Sequence, residues 1–427
     1  MIAQDFFEKM KITQDNLLKY LDNLDDSQNF VNIKKLIDDQ KIHEDQHKLK
    51  SFLHLLLKIS NNHHRSPNFF NKIIQILQLF KEEIKKKFPN WEIFEIFKNN
   101  KRILLFLIEE QIIVMDGYIA KQIAIFSKNN YLFKYIDYFE PEMEPFLTEH
   151  FKDKYDVRKV NEISDDFFEK RKIGENDSTL CELIRKDSIA EFIRYTNQSD
   201  IQIEKVKILP SIFETNNFLI KQQSTTLIEY AAFFGSIKII KYLQNKNIEL
   251  TSSLWLYGVH SNSEKIINFL EENNVEQPKF RNIKFNIKIK NRNIHTYYFH
   301  QLKEEEEDNV NQEEENQEDA IQEEEEQQQD DDDYSYKEAF IESIKCHHND
   351  IANYFLKNCF QSDDNRLLKI AFINGLKNYN FDFFQDKFIN ENSIYDFCKY
   401  DYFIVVDAFL KQGNININQK TILVIMI

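Results

Sequence analysis

"TLIEYAAFFGSIKIIKYL", residues Thr226–Leu243, decides how this chain folds. Two apolar stretches flank Gly235, one of only six glycines in 427 residues. Ser253–Leu270, "SLWLYGVHSNSEKIINFL", repeats the arrangement 27 residues later. Leu227 falls on Leu254, Ala231 on Gly258, Gly235 on Asn262, Ile239 and Ile240 on Ile266 and Ile267, and Leu243 on Leu270. A third copy reads "YKEAFIESIKCHHNDIANYFL" over 336–356, and a fourth "IYDFCKYDYFIVVDAFLKQG" over 394–413. Each has a short helix with small residues on one face, a tight break at Gly, Asn or Asp, and a second helix with apolar i, i+3, i+4 spacing. Two antiparallel helices joined this closely need positive φ at the end of the first. Glycine adopts it without a Cβ penalty, and Asn and Asp tolerate it. Ala231 and Ala232 allow close approach of a neighbouring helix. One hairpin could belong to any bundle, whereas repetition with matched apolar positions points to a stacked array.

Composition supports an all-α chain. Gly and Pro, six each, make up about 3% of it against roughly 12% on average. Hairpins, barrels and propellers spend both residues at their turns. Hydrophobic residues reach 42%, with 38 Phe against two Trp, enough for a substantial core rich in Phe, Tyr, Ile and Leu. The net charge of -16 is local in origin. Glu304–Asp333 holds 18 acids and no Lys or Arg, and the rest carries 55 basic and 53 acidic residues. Nothing global therefore argues for nucleic acid or an anionic membrane. The four cysteines lack a CxxC pair, the start MIAQDFFEKMKI is too charged for a signal peptide, and no apolar run approaches the roughly 20 residues of a membrane span. The expectation is a reduced, intracellular, cytoplasmic protein.

The repeat resembles ankyrin. Against the pattern T-P-L-H-x-A-A-x-x-G-H, the chain keeps Thr226, Ile228, Ala231, Ala232, Gly235, Ile239, Ile240 and Leu243, and in the next copy Gly258, Ile266, Ile267 and Leu270. It departs at Leu227 for proline, Glu229 for histidine and Ser236 for the second histidine. More specifically, "PEMEPFLTEHF", "FFEKRKIGEND", "SIFETNNFLIK" and "CHHNDIANYFLKN" look like a group of trichomonad-type protist ankyrin proteins with a domain of unknown function upstream of divergent repeats. The resemblance covers roughly 100–420. It implies an ankyrin-like helical-hairpin solenoid and no activity.

The expected organisation is as follows. Residues 1–140 form a helical region of degenerate repeats or a cap, including a long helix over 69–88 that Pro89 ends. Residues 141–225 connect it to the repeats and hold a linker, "KRKIGENDST". Ankyrin-like repeats occupy 226–278 and 334–420. Between them lie a basic extended segment, 279–303, and an acidic insert, 304–333, too poor in apolar residues to order itself. Alternation of Ile283, Phe285, Ile287 and Ile289 reads as a strand. Its basic residues form a solvated face, pair with the acidic run, or bind nucleic acid or anionic lipid. An apolar tail, 421–427, follows and suggests an array that continues or caps itself.

Chemistry-bearing motifs are few. No two glycines are close, which excludes a P-loop, a GxGxxG loop and a GxSxG elbow. Cys346, His347, His348 and Asp350, with Cys359, have donor atoms suited to zinc. Neighbours on one helical turn rarely converge on one ion, so the expectation is a helix–turn segment with one His capping and the other exposed, and no metal. His63–His64 reads as a solvated loop, and Cys398 as a small buried apolar residue. No cofactor is expected. The function expected is a protein-interaction scaffold with an unidentified protein partner on the concave helical face, because Gln244–Ser253 leaves little room for a β-hairpin finger. Alternatives are a regulatory or structural subunit of a larger complex and, more weakly, an enzyme with an unrecognised site.

Overall fold

Gly235 takes φ 72° in the computed structural model of the chain, between helices Leu227–Phe233 and Ile237–Asn245. The same left-handed residue recurs at the turn of every hairpin in this part of the molecule. Asp187 has φ 49°, Asn262 50°, His347 59° and Asp401 63°. The amide after the turn reaches back five residues: Ser188 N–H donates to Leu183 O, Ser236 to Ala231 O, His348 to Ser343 O and Tyr402 to Phe397 O. These bonds satisfy carbonyls that a helix end leaves open. The third copy breaks at His347 rather than at Asn349 or Asp350. Histidine is among the non-glycine residues enriched at positive φ.

The described residues are 2–23, 27–66, 68–129, 134–148, 151, 164–222, 224–276, 336–360, 364–390 and 393–411. The proposed strand over 283–289, the acidic insert, Pro67 and the apolar tail lie outside them. The N-terminal part contains α1 (Ile2–Asp22), α2 (Ser27–Asp39), α3 (Gln46–Asn62), α4 (Phe69–Gln78), α5 (Lys81–Lys87), α6 (Asn90–Phe97), α7 (Lys101–Glu109) and α8 (Gly117–Asn129). The stretch 69–88 is thus two helices, not one. A turn at Leu79–Phe80 redirects the chain, and Phe80, Ile84 and Phe88 are all buried as a result. Short helices α9 (Tyr135–Tyr138), α10 (Glu140–Met143) and α11 (Phe167–Ile173) follow.

The hairpins are α12/α13 (Thr179–Arg185, Ile189–Gln198), α15/α16 (Leu227–Phe233, Ile237–Asn245), α17/α18 (Leu254–His260, Glu264–Glu272), α19/α20 (Lys337–Lys345, Asn349–Asn358) and α22/α23 (Ile394–Lys399, Phe403–Lys411). Helix α14 (Asn217–Lys221) precedes the second hairpin, and α21 (Asn365–Asn378) precedes the last. The first helices of the first four hairpins pack in chain order, α12 on α15, α15 on α17 and α17 on α19, and α19 then packs on α21, which contacts α22 of the last hairpin. Among the described residues the strands are two-residue segments, β1 (Lys207–Ile208) and β2 (Thr225–Thr226), paired antiparallel. Among the described residues no helix is long and apolar enough to cross a membrane.

Thr226 opens α15 with a capping box. Its hydroxyl accepts the Glu229 N–H, and the Glu229 carboxylate accepts the Thr226 N–H. The signature residues then divide by role. Ala231, Ile239 and Leu243 are fully enclosed, as are Ile266 and Val259 in the next copy. Ala232, Ile228, Ile240, Ile267 and Leu270 are buried beside them in one core shared by the first four hairpins. A second core joins α1–α10 to Phe372, Leu376, Phe381, Phe397 and Tyr402. Accordingly α1 and α3 both pack on α23, and α3 also packs on α14. The N-terminal helices therefore share a core with the last hairpin as well as preceding the first.

The segment 170–179, expected as a linker, is packed. Lys170–Ile173 finish α11, Gly174 caps it at φ 72°, and Arg171 is buried with both guanidinium nitrogens on the Glu142 carboxylate at 2.7 and 2.8 Å. A bidentate Arg–carboxylate pair adds geometric specificity as well as energy, and here it anchors a segment whose one large apolar residue, Ile173, is exposed.

Candidate functional site

Two groups of side chains with chemical potential meet at the Cys346–His348 turn. The left-handed φ of His347 points its neighbours apart. Cys346 joins one group and His348 the other.

In the first group, Cys346 Sγ lies 3.3 Å from His260 Nδ1, and His260 Nε2 lies 2.9 Å from Glu342 Oε1. The order thiol–imidazole–carboxylate is that of an activated nucleophile. The surroundings oppose such a role. Cys346 and His260 are buried, and burial drives the thiol well above its ordinary value. Burial also lowers the His260 imidazole, against the opposing pull of Glu342. Burial pushes the Glu342 carboxyl up, but Lys345 and His260 overcome that and hold it well below the usual range. Phe218 and Phe233 close over the His260 ring at 4.2 and 4.8 Å between centroids. This group stitches α17 to α19, with Cys346 and His260 buried and only the Glu342 side chain partly exposed.

The second group consists of His63, His64, His348 and Asp22. His63 Nδ1 lies 2.8 Å from Cys346 O, and His63 Nε2 2.9 Å from Asp22 Oδ1. His348 Nδ1 lies 2.7 Å from Val259 O, and His348 Nε2 3.3 Å from His64 Nδ1. His64 Nε2 is 3.5 Å from the same Asp22 oxygen. One ligand atom from each of the three histidines falls within 4.8 Å of the others. Burial depresses His64 to about 4 and takes His348 well below its ordinary value. Burial raises Asp22, but His63, His64 and Lys72 pull it below the usual range. Lys72 donates to the carbonyls of Tyr20, Leu21 and Asn23, capping the end of α1 beside Asp22.

Neither histidine pair matches the expectation from sequence. His63–His64 is no solvated loop: the His63 side chain is 2% exposed and His64 22%. His347 and His348 are both buried, and neither caps a helix with its side chain. His347 Nε2 approaches Tyr379 O at 3.3 Å, and burial lowers it to about 3. Asp350 is exposed and Cys359 half-buried, away from the cluster, and Cys398 is buried as expected. Sequence reading missed His260, Glu342 and Asp22, whose partners lie 86, 82 and 41 residues away in the chain or within a featureless helix end.

The remaining quoted stretches meet one another. Arg65 NH1 donates to Gly174 O and Glu175 Oε1, and NH2 to Thr215 Oγ1 at 2.9 Å. Arg102 Nε donates to Lys172 O, and Lys101 Nζ to Ile212 O. Glu214 is buried, with Oε1 on the Asn216 N–H and Oε2 without a partner. Burial, then Glu175, pushes its carboxyl up to about 7. "FFEKRKIGEND" and "SIFETNNFLIK" are thus two sides of one polar contact, held by the loop that carries His63 and His64.

Comparison of the chain with known protein families, with characterised proteins and with solved structures gives no match.

Proposed function

We propose that the chain is an interaction scaffold of ankyrin-repeat type, built as a solenoid of helical hairpins and without a catalytic role. The observation that carries this reading is the succession of hairpins whose first helices pack in chain order, each turning on one left-handed residue. Such an array gains its stability from neighbour-to-neighbour burial and presents the same surface again at each step. The likeness of Thr226–Leu243 to ankyrin repeats points the same way.

Among the first helices, α15 is apolar nearly all round. Leu227, Ile228, Tyr230, Ala231, Ala232 and Phe233 are all buried. A helix buried on every side cannot serve a partner directly. The second helices keep an outward row, including Lys241, Asn268, Asn353 and Lys357. That row is the better partner surface in this chain than the first-helix face.

Affinity capture with the full chain, followed by binding of the purified partner, tests the reading. Lys241→Glu, Asn268→Glu and Lys357→Glu together should weaken binding at least tenfold while thermal unfolding stays unchanged. Unaltered binding by the triple variant would remove the second-helix row from the proposal. Turnover of a substrate by the purified chain would overturn the scaffold reading itself.

A further inference from the structure

We infer that His63, His64 and His348, with Asp22 beside them, form a site for one divalent transition-metal ion, zinc by ligand chemistry, which ties the N-terminal helices to the α19/α20 hairpin.

The proton accounting comes first. A backbone carbonyl only accepts, so the contacts of His63 Nδ1 with Cys346 O and of His348 Nδ1 with Val259 O place the proton on Nδ1 of each ring. Both neutral rings then turn an Nε2 lone pair into the cluster. His63 Nε2 meets a carboxylate oxygen at 2.9 Å, a contact between two acceptors unless a cation or an extra proton lies between them. His348 Nε2 accepts the His64 backbone N–H at 3.4 Å and meets His64 Nδ1 at 3.3 Å. A second proton on His63 would answer the Asp22 contact alone. One divalent cation would answer it too, and would take the converging ring nitrogens of His63, His64 and His348 together.

The surroundings are those of a ligand shell. Metal-bound histidines nearly always give their other ring N–H to a carbonyl or carboxylate, which fixes tautomer and ring orientation. His63 and His348 both do so here, from different parts of the chain. Zinc takes imidazole nitrogens at about 2.0–2.1 Å, which separates tetrahedral ligand atoms by about 3.4 Å. The His64–His348 distance of 3.3 Å already has that value. Imidazole and carboxylate donors without sulfur suit zinc among the common divalent ions. The site also has a way in, since His64 and Asp22 are 22% and 35% exposed while His63 and His348 are buried behind them.

The consequence is mechanical. Asp22 ends α1, His63 and His64 follow α3, and His348 begins the second helix of the α19/α20 hairpin. A bound ion would join three segments more than 280 residues apart at the extremes, and stabilise the folded chain by mass action.

The test uses the full chain, stripped with a chelator, desalted and titrated with Co²⁺ and then Zn²⁺. The expected result is one equivalent of Co²⁺ with the visible bands of a four-coordinate nitrogen–oxygen site, no thiolate charge-transfer band, and displacement by Zn²⁺. Zn²⁺ should raise the Tm of the wild type. Asp22→Asn and His64→Asn, both at the open edge, should each lower affinity at least ~10-fold, in line with the sensitivity of metal shells to their supporting groups. Circular dichroism of the metal-free variants checks that the fold is retained, and Asp22→Asn carries the test if His64→Asn does not fold. Three results would overturn the assignment: no retained metal and no shift in Tm, unchanged affinity in the folded variants, or a thiolate band, which would move the ion to Cys346, His260 and Glu342.

Discussion

Gly235→Ala isolates what the turn glycine contributes. A Cβ built on Gly235 would lie 3.4 Å from Ser261 Cβ, 3.7 Å from Ser263 Cβ and 3.9 Å from Ser261 Oγ. These are ordinary contacts, so the substitution adds no clash. What it adds is a side chain at φ 72°, which costs an L-residue roughly 1–2 kcal/mol. Alanine also stiffens the unfolded chain, an effect worth about 0.4–1 kcal/mol in the opposite direction. The expected net loss is about 0.5–1 kcal/mol. Asparagine should cost less than alanine, because it enters the left-handed region more readily and Asn262 already occupies the matching turn at φ 50°. Urea unfolding followed by circular dichroism gives the midpoints, and an unchanged m-value would show that the substitution changes stability without changing the surface exposed on unfolding. Amide exchange at Ser236, whose N–H donates to Ala231 O at 2.9 Å, reports the turn itself. A stabilised alanine variant, or an asparagine variant that loses more than alanine, would refute backbone conformation as the reason for the glycine.

Gly258→Ala should fail for the opposite cause. Its φ is unstrained, but a Cβ would lie 2.9 Å from Ile266 Cγ2, so we expect a loss of roughly 1–3 kcal/mol from overpacking; Ile266→Leu, which lacks that methyl, should show favourable coupling in a double-mutant cycle, and strict additivity would contradict the steric account. Ala231→Leu, at a fully buried position of α15 between α12 and α17, should also cost roughly 1–3 kcal/mol, whereas a change under about 0.5 kcal/mol, the usual surface value, would mean the interface has slack. Glu214→Gln should act through pH. The folded-state carboxyl is raised to about 7, so the folded chain binds more protons than the unfolded one between the ordinary glutamate value of about 4.3 and 7, and wild-type stability falls as pH rises through that window. The variant should match the wild type near pH 4 and gain on it progressively toward pH 8 in urea midpoints, and a pH-independent difference would show that the ionised form is not penalised.

What could be read in the sequence was whatever repeats or acts locally. The matched positions of Thr226–Leu243 and Ser253–Leu270 gave helix, turn and buried face together, because each depends on residues three, four or five apart. The long helix expected over 69–88 failed for a reason that local periodicity does not carry. The same apolar spacing serves one helix or two, and the choice lies with the core that takes Phe80, Ile84 and Phe88. The packed segment 170–179 looked like a linker because its residues are polar, yet Arg171 and Glu175 find their partners in Glu142 and Arg65.

The histidine cluster was illegible for a related reason, with one exception. His348 meets His64 across 284 residues, a juxtaposition that no spacing rule contains. Four of the eleven histidines nevertheless stand as two adjacent pairs, His63–His64 and His347–His348. The 347–348 pair diverges, His347 turning to Tyr379 O, whereas His63 and His64 both face His348. Taken together they supply what one pair cannot, a second strand of ligands approaching from another element. The departures from the ankyrin pattern fit the same argument. Glu229 stands where that pattern has histidine, caps its own helix and accepts the Ser253 hydroxyl of the next copy at 2.7 Å. Ser236, in place of the second histidine, donates to Ile184 O of the preceding hairpin at 2.5 Å. These two bonds tie the α15/α16 hairpin to the hairpins on either side of it. His63, His64 and His348 instead meet where the N-terminal helices pack against the α19/α20 hairpin, a junction that repetition alone does not specify.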